Sequence, residues 1–121
     1  MLWCALFFLS LTPSALAEDV HAARIEAASA AYAAAQTELS TGMGAPEAVY
    51  RWSCRWLDST TSADTAGVRA ALAAHQARMV DLQETVTTQV QQGTAPASGL
   101  AAARYYVAEA AVWVERGLPV E

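Results

Sequence analysis

The sequence predicts an all-α protein: an antiparallel three-helix bundle with a long central helix, built as helical hairpins. Three observations predict it. Alanine, the strongest helix former, fills 29 of the 121 positions. Helix breakers are scarce, with six glycines and four prolines. Apolar residues recur at steps of three and four along most of the chain, the period of a one-sided helix. Four helices, with a true loop near Ser59–Gly67, are the alternative.

The first element is an address. Leu2 to Leu11 form an apolar block, broken by Thr12, Pro13 and Ser14 and followed by Ala15-Leu16-Ala17. Apolar core, breaker and A-x-A site read as a secretory signal cleaved near Ala17, which places the protein in the periplasm or outside the cell. The block spans about ten residues, and a bilayer core needs roughly 20. No Lys or Arg precedes it, so an uncleaved interfacial anchor is the competing reading. Cleavage leaves 18–121 as a single helical domain with no transmembrane span. Its one cysteine, Cys54, is then a small buried side chain or the donor of an intermolecular bridge.

From Asp19 to Thr41, Ile25, Ala28, Tyr32, Ala35 and Leu39 share one helix face. Gly42 and Gly44, then Pro46, mark a helix end and a new start. Glu47 falls in the first turn, where a carboxylate meets the positive end of the helix dipole, and four residues before Arg51. The second helix carries Val49, Trp52, Trp56 and Leu57 on one side, with Tyr50 at the margin. Ser59 to Gly67 is rich in Ser, Thr and Asp, which compete for backbone hydrogen bonds. With strong helix on both sides, the favoured expectation is a weakened but continuous helix from Glu47 to Gln92, roughly 70 Å long.

Val68, Leu72, His75, Met79, Leu82, Val86 and Val90 form a heptad seam, the pattern of a coiled-coil contact. Gln91, Gln92 and Gly93 end it. In the last helix Leu100, Ala103, Val107, Ala110, Ala111 and Val114 make one stripe, flanked by Tyr105, Tyr106, Val112 and Trp113. A helix apolar nearly all round needs cover on more than one face. In so small a chain this predicts a homo-oligomer or a helical protein partner in the envelope.

The halves match at an offset of 51 residues. Gly42 falls on Gly93, Leu39 on Val90, Ala35 on Val86, Val49 on Leu100, and Asp58 on Glu109. This gives two hairpin-like repeats, about 24–58 and 75–109. Leu39-Ser-Thr-Gly42, Pro46-Glu47-Ala48-Val49-Tyr50, and Gly93 to Leu100 with Ala103 and Val107 resemble the hairpin repeat of TolC-like outer membrane efflux proteins. Pro46 to Leu57, Ala74-His75 and Tyr105-Tyr106 are also similar to a group of uncharacterised secreted helical proteins of Gram-negative bacteria. The resemblance implies hairpins and an envelope location. No alternating strand pattern for a membrane barrel occurs, and the chain is too short for barrel and tunnel, so transport by itself is not implied.

Net charge is −5 without any lysine, which argues against nucleic acid. No nucleophile motif, phosphate loop or cofactor fingerprint occurs, so the chain reads as non-enzymatic and without cofactor. His75 and Met79, one turn apart, could hold a soft metal with help from His21 or Met43, but both also fit the apolar seam. Tyr50, Trp52, Trp56, Tyr105, Tyr106 and Trp113 are the candidate binding or interface aromatics. Arg51 and Arg55 could meet an anionic partner or form a solvated face. The expected function is helix-mediated association in the envelope, as an accessory to an efflux or surface assembly. The alternative is a periplasmic sensor or chaperone-like binder.

Overall fold

The computed structural model describes residues 13–117, and all the regular structure among them is helical. Helix α1 runs Pro13–Ser40, α2 Pro46–Ala63, α3 Val68–Gln91 and α4 Ala97–Arg116, with a 3₁₀ turn at Thr65–Gly67. The apolar block of the expected signal, Leu2–Leu11, lies outside the described residues. Its cleavage end, 13–17, is helical and opens α1.

The long central helix does not form; the described residues hold four α-helices, not three. Asp64 drops into extended backbone (φ −144°, ψ 97°), and its N–H closes α2 on Thr60 O. Its carboxylate then accepts from the Ala66 N–H at 3.0 Å, which starts the 3₁₀ turn. Upstream, the Ser59 and Thr60 hydroxyls donate to Trp56 O, and Thr61 to Asp58 O. The short polar side chains win the contest for backbone partners at one residue, Asp64, and lose it across Ser59–Ala63, which stays helical. Gly67 is fitted to this joint, because a Cβ there would lie 2.9 Å from Asp64 Oδ2.

The turns at the other end are built alike. Gly42 (φ 78°) donates to Leu39 O and Met43 to Glu38 O; Gly93 (φ 73°) donates to Val90 O and Thr94 to Gln89 O. Each is a Schellman cap, with glycine in the left-handed region that L side chains avoid. The same donors and acceptors recur 51 residues apart. Beneath the turns the Gln89 amide donates to Leu39 O at 2.7 Å, joining α3 to α1.

Packing pairs α1 with α2 and α3 with α4, and α2 in turn meets α3 and α4. The main core gathers Tyr32, Ala35 and Leu39 from α1, Val49 from α2, Met79, Leu82 and Val86 from α3, and Ala103 and Ala110 from α4. Leu57, Ala71, Leu72 and Trp113 form a second cluster toward the Asp64 joint. The alanines of these stripes let helices approach closely, and each buried Leu or Met contributes roughly 1.5–3 kcal/mol.

The buried register of α4 differs from the expected stripe. Ala103, Ala110 and Trp113 are buried, whereas Ala111 and Val114 are exposed and Leu100 and Val107 only half-buried. Trp113 is buried because the Leu57, Ala71 and Leu72 cluster and the His75 ring cover it. No helix among the described residues is long and apolar enough to cross a membrane.

Candidate functional site

Where α2, α3 and α4 meet, the apolar packing gives way to a buried polar cluster. Ser53 occupies the α2 stripe between Val49 and Leu57, and His75 the α3 seam between Leu72 and Met79. Both are wholly buried. Ser53 Oγ lies 2.7 Å from His75 Nδ1. Arg78, one turn along α3, donates from Nε to the same oxygen at 2.7 Å and from its terminal nitrogen to Ser53 O at 3.3 Å. Arg78 fills one of the two acceptor positions of the hydroxyl, and the hydroxyl meets Nδ1 with its proton or its remaining lone pair. Nε2 is buried and has no hydrogen-bond partner among the described residues. The imidazole stacks on Trp113 of α4, with centroids 5.4 Å apart.

Arg78 is a partly buried cation without a carboxylate partner among the described residues. Aromatic faces take that role: its guanidinium lies 4.2 Å from the Trp56 ring centre and 5.6 Å from Tyr32. Beside the cluster, Tyr50 donates to Glu109 Oε1 at 2.5 Å and stacks on Tyr106, 3.9 Å between centroids and 7° between planes. The bond and the stack tie α2 to α4.

The electrostatics follow from burial. Desolvation first, and then the Arg78 charge, push the His75 pKa down to about 4, so the imidazole is neutral at pH 7. Burial raises the Cys54 thiol to about 11, and Glu109 adds to the shift. Cys54 is therefore a protonated, half-buried apolar side chain, a poor nucleophile. Burial and the Glu109 hydrogen bond raise Tyr50.

The six aromatic candidates divide. Tyr50, Trp56 and Trp113 border the polar cluster, and Tyr106 joins them through its stack on Tyr50. Trp52 is half-buried under the Arg55 guanidinium, 4.5 Å from its ring centre. Tyr105 points away, 62% exposed. Arg51 pairs with Glu47 at 2.9 Å on the surface. His75 and Met79 are both fully buried, and neither Met43, fully at the surface in the first turn, nor His21 on α1 is brought to them by any recorded contact. No group of three or more metal-ligating His, Cys, Asp or Glu occurs among the described residues.

A serine hydroxyl 2.7 Å from an imidazole nitrogen has the spacing of an activated nucleophile. Here burial closes it off, and Arg78 occupies the hydroxyl's other side. The pair acts as a structural tie. The sequence reading passed over Ser53, Arg78 and Glu109. The signal for the first was a polar residue on an apolar stripe, facing a second polar residue on another. A surface recess of about 360 Å³ lies between the glycine turns over Leu39, Ala102 and Tyr106, with Glu47 its one charged wall residue.

No family model, curated protein or solved structure matches the chain.

Proposed function

We propose that this is a non-enzymatic envelope protein that works by helix-mediated association, as an accessory to an efflux or surface assembly. In this reading two TolC-like hairpins stack as an antiparallel bundle, exported behind a signal cleaved near Ala17. One observation carries it. Ala101, Tyr105, Ala108 and Val112 recur at steps of four and three on α4 and are all exposed, Tyr105 by 62% and Val112 by 42%. An apolar stripe of three turns, left open on a helix whose other face is already packed, is the kind of surface that marks an interaction site. A homo-oligomer or a helical envelope protein supplies the cover. Metal sensing through His75 and Met79 gains no support, since both are buried.

Sedimentation velocity over a wide concentration range, with crosslinking in cells, tests the proposal. The expected result is association, or a crosslinked envelope protein, that Tyr105→Glu and Val112→Glu abolish while helicity is kept. A monomer at every concentration with no envelope protein crosslinked overturns it.

A further inference from the structure

The described helices form two hairpins, α1 with α2 and α3 with α4. Within each, the paired helices meet more extensively than the hairpins meet each other. The covalent link between them is the joint at Asp64–Gly67. The seam that closes over this joint is where Ser53, His75, Arg78 and Trp113 lie. His75 touches both sides of it, Ser53 of α2 by its Nδ1 and Trp113 of α4 by its ring face.

We propose that His75 is a proton-operated latch on this seam: an imidazolium cannot be housed there, and its formation parts the α3–α4 hairpin from α2. Four features of the geometry support this. The ring is wholly buried. Its Nε2 has no acceptor among the described residues, so a charge on the ring finds no partner there. A doubly protonated ring can only donate from Nδ1, so Ser53 Oγ must accept from it and from the Arg78 Nε–H at once, with its own proton turned away. Two cations then share one hydroxyl. The groups around the ring offer no relief. Tyr50 faces it from α2 as a neutral group, 6.4 Å between ring centres, and Cys54, also neutral, lies beside Tyr50. Glu109 of α4 stands beyond Tyr50 and accepts that phenol's hydrogen bond. Tyr32 of α1 and Asp81 of α3 act on each other on the far side of Arg78. The charge that acts on His75 is the guanidinium of Arg78.

When the seam opens, the ring meets water and takes the proton at its ordinary affinity. Below pH 6.5 the open form therefore gains about ten-fold per pH unit until the closed form also titrates. Cys54 reports the opening, because it packs on the Leu57, Leu72 and Trp113 cluster at the seam.

The experiment labels full-length protein with a pyridyl disulfide that reacts in mild acid, with the adduct on Cys54 quantified by mass spectrometry. Rates are divided by those of the denatured chain at each pH. Expected is a Cys54 protection that falls at least ten-fold from pH 7 to pH 5, and less than two-fold in His75→Asn, which keeps an acceptor for Ser53 and cannot charge. Constant protection in the native sequence, or an equal fall in His75→Asn, overturns the latch. Should His75→Asn fail to fold, imidazole NMR on the native sequence decides alone. A closed-state His75 that stays neutral until the seam opens supports the latch. One that titrates near pH 6.5 with the seam closed overturns it.

Discussion

The two ends of the molecule solve the same packing problem by different means. At the turn end, Leu39, Val49, Leu82, Val86 and Ala103 form a dry contact, and glycine caps finish the helices. At the joint end, Ser53, His75 and Arg78 place polar groups between helices whose sequence periodicity promised only apolar contact. A dry contact is tolerant of direction and indifferent to pH. A buried hydrogen-bonded cluster is directional, and it is costly when any member loses its partner. The turn end thus supplies bulk stability, and the joint end fixes which faces of α2, α3 and α4 meet.

Four measurements break or sharpen that contrast. Met79→Ala empties a fully buried site of the dry core and is expected to cost about 2–5 kcal/mol in urea unfolding, equally at pH 7 and pH 5. Acid acts on the other end. His75 is held at about pH 4 in the fold against 6.5 unfolded, so the unfolded chain takes up the proton first. The contribution is whole above pH 6.5 and is lost as pH falls toward 4, on the order of 3 kcal/mol by the difference in pKa. Urea midpoints measured across that window test it, and a flat profile contradicts it. Ser53→Ala leaves Nδ1 and the Arg78 Nε–H without their shared partner, an expected loss of about 1–3 kcal/mol. Gly42→Ala and Gly93→Ala force a side chain into the left-handed region and should each cost about 1 kcal/mol. Equal losses from these two show that the turns are energetically as well as geometrically alike; thermal melts of the pair suffice.

The dry end was legible in the sequence. Tyr32, Ala35 and Leu39, and Met79, Leu82 and Val86, sit where their spacing puts them. Both turn glycines were readable for the same local reason, a helix end that only glycine completes without strain. The joint was less so. Ser, Thr and Asp fit a loop or a weakened helix equally, and the outcome turns on one Asp64 side chain reaching Ala66. The candidate site was half visible. Tyr50, Trp56, Tyr106 and Trp113 stood out as aromatic, but Ser53, Arg78 and Glu109 acquire meaning only from partners 22, 25 and 59 residues away. Nothing in a local window carries that information.

The reach of α1 has one more consequence. Its first described buried side chain is Ala28, and the surface pair Arg24–Asp58 ties it to α2 one turn upstream. Upstream, Leu16, Asp19 and Val20 are exposed. From there α1 runs back to Pro13, roughly 15 Å at 1.5 Å per residue, with Ala22 and Ala23 exposed and His21 half-buried. The described core side chains begin eleven residues past the expected cut after Ala17, so removing what precedes that cut takes none of them away.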